Sequence, residues 1–270
     1  MRFGIDWLSL GSWIALATLG GLAIYHGVAG YYHLRYYVLR RGEAESWKCQ
    51  PKRFLAPELA RRAVALGSAN MVLGGVTTGI VLYAIERGLP VPIYFDVAAR
   101  GWAYTLASTV GYFIVLDAFA YYIHRALHHE MLYKRFHFSH HRFVATTPYV
   151  TTAIHPAVFM TLQVASFLPV FVVPLHAVSV AAVLVYVLVF NIIDHSGVSL
   201  RSRIPWQAAS NYHDDHHALF HVNFGQHLML WDRLHGTFRR RGRRYGKEVF
   251  GGRGAAESGA TSPPSEFWRY

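Results

Sequence analysis

The sequence predicts an all-α integral membrane protein, a bundle of about four spanning helices or helical hairpins. Three observations carry this fold class. First, the 270 residues are 53% hydrophobic and only 15% charged, whereas a soluble domain usually has about 25% charged residues. Second, several apolar runs are long enough to cross about 30 Å as a helix. Third, the chain holds 17 Tyr, 17 Phe and 7 Trp, and Trp and Tyr favour membrane interfaces.

The first span is expected over residues 12–32, which contain no charged side chain. His26 and His33 near its end are expected to pack or sit at the interface, because neither has a clustered partner. Asp6 and a lone Arg2 precede a run with no small-residue cleavage site, which argues against a removable signal peptide. The second span is expected over 66–85, where Gly74, Gly75 and Gly79 suit close helix packing. The third runs over 102–123 and holds one acid, Asp117. An ionisable residue inside a span is a functional candidate, and Asp117 lies two turns before His124 on the same face. Residues 156–193 are apolar throughout and too long for one crossing. Pro169 and Pro174 divide them into an expected hairpin, 156–172 and 175–193, that only partly or just crosses the bilayer.

Charge orients these spans. Arg35, Arg40, Arg41, Lys48, Lys52, Arg53, Arg61 and Arg62 lie between spans one and two, but only Arg87 and Arg100 lie between two and three. The positive-inside rule then puts the first loop in the cytoplasm. The net charge of +11 is read as cytoplasmic loops facing anionic lipid, not as nucleic-acid binding. The single cysteine, Cys49, excludes a disulfide framework and a CxxC zinc site.

Against this background stand three histidine clusters: His124-x3-His128, His137-x2-His140-His141 and His213-x2-His216-His217. Residues three and four apart share a helix face, so each cluster can aim two or three imidazoles at one point. Eight such ligands exceed one ion and suit a two-metal centre. All three fall on the cytoplasmic side of the charge map, giving a cytoplasmic helical metal-binding cap. His221 is expected to extend the third face by one turn. Asn191-x3-His195 adds a fourth element at the end of the hairpin. There His195 is a further ligand or a helix-end cap, and Asn191 a weak or water-mediated one. Metal-bound histidines usually give their other N–H to a carboxylate or carbonyl. Some of Asp117, Asp194, Asp214, Asp215 and Asp232, which lie near the clusters, are the expected acceptors. An all-nitrogen site suits Zn, Fe, Cu or Ni.

These motifs resemble the three histidine boxes of the fatty acid hydroxylase/sterol desaturase superfamily. The resemblance extends to Tyr121-Tyr122, His155-Pro156, Asp194-His195-Ser196-Gly197, Asn223-Phe224-Gly225 and Trp231-Asp232-x3-Gly236-Thr237. It covers roughly residues 105–238. It implies two Fe ions, replaceable by zinc in a purified sample, with O2 as co-substrate and a lipid hydroxylated or desaturated at a C–H bond. The implied ligands are His124, His128, His137, His140, His141, His195, His213, His216 and His217. Asn191 and Asp117 are the implied catalytic side chains. Asn191 stands where some relatives have a further histidine and resembles the Asn-x3-His element of membrane acyl desaturases. His129, His155, His221 and His235 are left as supporting or pocket residues. No haem-binding cytochrome domain is visible, so electrons are expected from a separate ferredoxin or cytochrome, docked by the basic loops and the Arg run at 239–244.

The expected organisation is therefore N-terminal transmembrane helices over 1–104, a histidine-box catalytic domain over 105–238, and a basic, flexible tail over 239–270. Hydroxylation is favoured over desaturation. Two rivals predict other features. A membrane zinc hydrolase needs a glutamate base, for which Glu130 is the candidate beside the boxes. A non-enzymatic metal or haem protein needs ligands within the spans.

Overall fold

The computed structural model describes residues 5–239, 243–244 and 255–256. The expected basic tail therefore lies outside the described residues, apart from Arg239 and two paired two-residue strands. Seven helices organise the rest. They are α1 (Trp7–Tyr32), α2 (Pro57–Glu86), α3 (Gly101–Leu127), α4 (Pro156–Phe167), α5 (Ala177–Asp194), α6 (Ser210–Leu219) and α7 (Leu230–His235). Single helical turns fill the connections. The all-α class holds, and among the described residues strands occur only as two-residue pairs. One of these, β1 (Ile93–Tyr94), runs parallel to β2 (Leu175–His176), at the end of α3 remote from its histidines.

Among the described residues, four helices are long and apolar enough to cross a membrane: Trp7–Val38, Pro57–Glu86, Gly101–Leu127 and Ala177–Asp194. The chain is a multi-pass membrane protein. The helices outrun their apolar windows. α2 begins at Pro57, nine residues before the expected span, and its first turns carry Glu58, Arg61 and Arg62. Hydropathy marks the stretch that lipid can solvate. Backbone hydrogen bonding continues past it, and Pro57 suits the first turn, where no N–H is needed. α3 likewise rises about 40 Å at 1.5 Å per residue, so its last turn lies beyond the hydrocarbon thickness. The hairpin is unequal. α4 and its 3-10 extension end at Phe171, about 24 Å of rise, short of a full crossing.

α1 and α2 approach closely because Gly75 and Gly79 recur at a four-residue spacing. A Cβ on Gly79 would lie 2.4 Å from Ile14 Cα, and one on Gly75 2.4 Å from Thr18 Cα. Small residues at this spacing let backbones touch where lipid gives no hydrophobic drive. Gln163 of α4 clasps α2 by donating to Gly74 O at 2.9 Å and Thr77 Oγ1 at 2.8 Å. Tyr25, Ala29, Met71 and Ile192 join α1, α2 and α5 in one apolar cluster.

The first basic loop folds against the histidine segments. Tyr37 Oη donates to Thr146 O at 2.8 Å or Ser196 O at 2.7 Å, and Gln50 Nε2 donates to Val144 O at 2.8 Å. Asn70 of α2 donates to Thr152 O and Ile154 O at 2.8 and 2.9 Å. Buried bonds of this kind contribute about 1 kcal/mol each. They hold the cap to the helix ends.

Replacing Gly79 by Val tests the α1–α2 contact. The branched side chain must push α1 away, at a cost of about 1–3 kcal/mol. Thermal unfolding in detergent should show a lowered midpoint, and an unchanged midpoint contradicts the close approach.

Candidate metal centre

The last turn of α3 carries His124, and His128 caps that helix. The second cluster does not sit on one regular helix, as the spacing suggested. A π-helical segment, Tyr133–His137, passes directly into the single turn Phe138–His141. α6 carries His213, His216 and His217. It stops at Leu219, because Phe220 adopts a left-handed conformation with φ 67°. His221 therefore leaves the face that it was expected to extend. His195 is the C-cap of α5. Behind it Gly197, at φ 68°, lies where a Cβ would be 2.4 Å from both Thr146 O and Tyr37 Oη, so only glycine fits the turn.

The fold brings all nine predicted histidines together, each buried. His124, His128, His137, His141 and His216 form one group, and His140, His195 and His217 a second, with ligand nitrogens within 4.8 Å of one another in each. His213 is not within that distance of every member of either group, but its Nε2 lies 3.0 Å from His195 Nε2, beside the second. His141 Nε2 is 3.0 Å from His128 Nε2, 3.1 Å from His137 Nε2 and 3.2 Å from His216 Nε2. A neutral imidazole nitrogen carries at most one proton, which cannot serve three such contacts. Two nitrogens about 2.1 Å from one ion, at octahedral or tetrahedral angles, lie about 3.0–3.4 Å apart. The spacing therefore fits bound metal. His217 supports this, since neither of its buried ring nitrogens has a hydrogen-bond partner.

Burial, reinforced by the neighbouring imidazoles, holds His128, His137, His140, His141, His213 and His217 well below the usual histidine range. His216 is held down in the same way, against the opposing Val222 carbonyl. Burial pushes His195 down to about 4. These rings are neutral at pH 7, the protonation state that metals bind.

Backbone carbonyls, more than aspartates, orient the rings. His124 Nδ1 donates to Phe224 O at 2.7 Å, His216 Nδ1 to Val222 O at 2.6 Å, His195 Nδ1 to Asn191 O at 2.8 Å and His140 Nδ1 to Ala153 O at 3.4 Å. Each bond leaves Nε2 bare for a metal. The carboxylates act one step further out. Asp232 accepts from Phe224 N and Gly225 N at 3.0 and 2.7 Å, and from Tyr212 and Thr237 hydroxyls. It thereby fixes the loop that supplies the carbonyls. Asp117 faces this loop rather than His124. It accepts from His227 N at 3.0 Å, Leu228 N at 3.3 Å and Trp231 Nε1 at 2.8 Å. Asp194 accepts from Gln207, and Asp214 from Gln50 and Thr146. Asp215 pairs with Arg239.

A cavity of about 130 Å³ opens beside the histidines between α3, α4 and α5. Leu116, Ala120, Val158, Leu162 and Val187 make its wall largely apolar, and His124, His137, His140, His195 and His213 close one end. Asn191 lines it with a buried Oδ1 that has no partner. Of the remaining candidates, His129 is exposed. His155 caps α4 by accepting from Ala157 N at 3.1 Å. His235 is exposed and meets Tyr122 Oη at 3.0 Å. Sequence reasoning missed His227, which is buried and lines the cavity. It stands outside every histidine spacing, and only its place after Asn223-Phe224-Gly225 signals it.

Residues 109–237 match the fatty acid hydroxylase family. Over those residues the chain resembles that family. It is 35% identical over 164 residues to a lathosterol oxidase of Mus musculus, covering 59% of this chain and 55% of that protein. It is 33% identical over 183 residues to a Delta(7)-sterol 5(6)-desaturase of Aspergillus fumigatus, covering 67% and 51%. It is 31% identical over 159 residues to methylsterol monooxygenase 1 of Danio rerio, covering 57% and 54%. The chain thus spans about half the length of these relatives. No solved structure matches it.

The depressed histidine pKa values set a pH dependence for the metal-free protein. The unfolded chain takes up protons near pH 6.5, whereas the folded cluster does so only at lower pH. Stability is therefore fully present above about pH 6.5 and falls as the pH drops below it. Melting of the metal-stripped protein between pH 8 and pH 5 should lose stability with a slope above one proton. A flat profile contradicts the neutral cluster.

Proposed function

We propose that this protein is a membrane di-iron oxygenase that hydroxylates a C–H bond of a lipid, using O2 and electrons from a separate donor. The observation that carries the reading is nine buried, neutral imidazoles in two groups at the closed end of an apolar cavity. One ion would be held by His124, His128, His137, His141 and His216, the other by His140, His195, His213 and His217. Bound iron would supply O2 activation and the oxidising power for C–H cleavage. The chain's own residues do the rest. The carbonyls of Phe224, Val222, Asn191 and Ala153 fix the ring tautomers, and Asp232 and Asp117 hold the loop behind them. The apolar wall positions a lipid chain and excludes water from the oxidising end. Asn191 Oδ1 is placed to hold a water or complete a coordination sphere.

Hydroxylation consumes one O2, two electrons and two protons, and yields the alcohol and one water. Desaturation is the second reading, favoured by the similarity to a lathosterol oxidase and a sterol desaturase. It draws on the same O2, electrons and protons but yields a double bond and two waters. A zinc hydrolase is disfavoured because Glu130 is exposed, where no general base for a buried site can act. A haem protein is disfavoured because eight of the nine histidines follow the spanning helices and His124 lies in the last turn of α3.

The test is metal content and product chemistry. Protein from iron-supplemented cells should hold about two irons per chain and lack a Soret band. Incubated with lathosterol, an electron donor and 18O2, it should form an 18O-labelled alcohol. An unlabelled new double bond would favour the desaturase reading, and full turnover with zinc alone would overturn both. His217→Ala should cut turnover at least about a hundredfold, beyond the usual effect of a supporting residue.

Sidedness follows from charge. Residues 39–56, packed against the metal end, carry Arg40, Arg41, Lys48, Lys52 and Arg53, and we assign that end to the cytoplasm. An epitope inserted after Gly42, which is exposed, should be labelled only in permeabilised cells. Labelling of intact cells would reverse the assignment.

A further inference from the structure

The cavity wall holds polar atoms that the proposed metal chemistry does not use. His227 is 1% exposed and lines the cavity, yet its Nε2 has no hydrogen-bond partner. Its other polar groups are engaged. The backbone N–H donates to Asp117 Oδ1 at 3.0 Å, and Nδ1 lies 3.1 Å from Gln207 Oε1. The Gln207 amide has one consistent orientation. Its Nε2 donates to Asp194 Oδ2 at 3.1 Å, while its Oε1 accepts from Tyr186 Oη at 2.9 Å. An amide oxygen only accepts, so His227 carries its proton on Nδ1 and leaves Nε2 as a bare acceptor. Asp194 Oδ2 is 4.0 Å from Nδ1, beyond hydrogen-bond distance.

Burial keeps this ring neutral by pushing its pKa down to about 3. A relay role is excluded by the same bonds. Tyr186 and His227 both donate into one amide oxygen, so no proton passes along the chain. The neighbouring Gln226 repeats the pattern, with a cavity-lining side chain whose buried Oε1 has no partner. A buried acceptor left unmatched is costly, and a ligand with a donor removes that cost. We propose that His227 Nε2 accepts a hydrogen bond from a hydroxyl of the lipid substrate. The substrate is then a lipid alcohol, not a hydrocarbon or an ester without a free hydroxyl. This inference rests on the lipid-oxidase reading of the cavity. It makes His227 a specificity residue that fixes which end of the lipid lies away from the reacting carbon.

The experiment measures equilibrium binding of two alcohols, lathosterol and hexadecanol, and of their methyl ethers, to the full chain in detergent. At least one alcohol should bind about tenfold more tightly than its ether, the factor expected for one buried hydrogen bond. His227→Phe keeps an aromatic ring and should bring that alcohol to the affinity of its ether, leaving the ether unchanged. Equal binding of both pairs by the unaltered protein, or binding of neither, overturns the proposal. So does a preference that survives His227→Phe. If the variant fails to fold, the comparison on the unaltered protein still decides. Metal content and product formation on the same preparation test the oxidase reading separately, since a preference for alcohols needs neither iron nor turnover.

Discussion

Nine imidazoles packed into one buried space are the constraint to which the rest of the cap answers. A charged ring there would meet both desolvation and its neighbours' repulsion, so the cluster exists only with neutral rings. Neutral rings with nitrogens 3.0–3.2 Å apart can share a proton in some of these contacts but not in all three at His141, and the remaining lone pairs press together unless a cation lies between them. Metal binding would therefore be coupled to folding. The bonds around the cluster limit this stress. Carbonyls of Phe224 and Val222 take ring protons from His124 and His216. Asp232 holds that stretch of chain through two backbone N–H groups and two hydroxyls. The clustered rings thus depend on a carboxylate that touches none of them.

The spans explain where the cluster can form. α3 and α5 are nearly all apolar until their last turns, then deliver His124 and His195 at one end of the bundle. α2 overshoots in the same direction and ties the cap through Asn70. The shorter α4 leaves room for an apolar cavity that reaches the histidines. This arrangement sets a site that demands polar ligands beside a wall that accepts lipid. The proposed reaction needs that juxtaposition, since its substrate is apolar and its oxidant is not.

Much of this was legible in the residues. Helical periodicity placed the third cluster on one face of α6, and hydropathy located the four long helices. Gly75 and Gly79 announced a close helix contact, but not that α1 makes it. The failures share one physical reason. Spacing reports which side chains can meet, but not which backbone groups face them after folding. Aspartates near the boxes were the obvious acceptors for ring protons. Yet carbonyls of Phe224, Val222 and Ala153 take that role, and Asp117 turns to the loop at His227 instead of to His124. The end of α6 at Leu219, which removed His221 from the expected face, follows from the left-handed backbone at Phe220, a residue type with no such preference. His227 had no spacing signal, because its environment is built from α3, α5 and the segment around Gln207.

The most direct test of the account is to locate the metals themselves. A crystal of iron-loaded protein, with diffraction recorded across the iron absorption edge, gives an anomalous difference map that reads metal positions without any assay. The account predicts two peaks per chain. One should be bounded by Nε2 of His124, His128, His137, His141 and His216, and the other by Nε2 of His140, His195, His213 and His217. A single peak, or iron held away from these nitrogens in active protein, would contradict it.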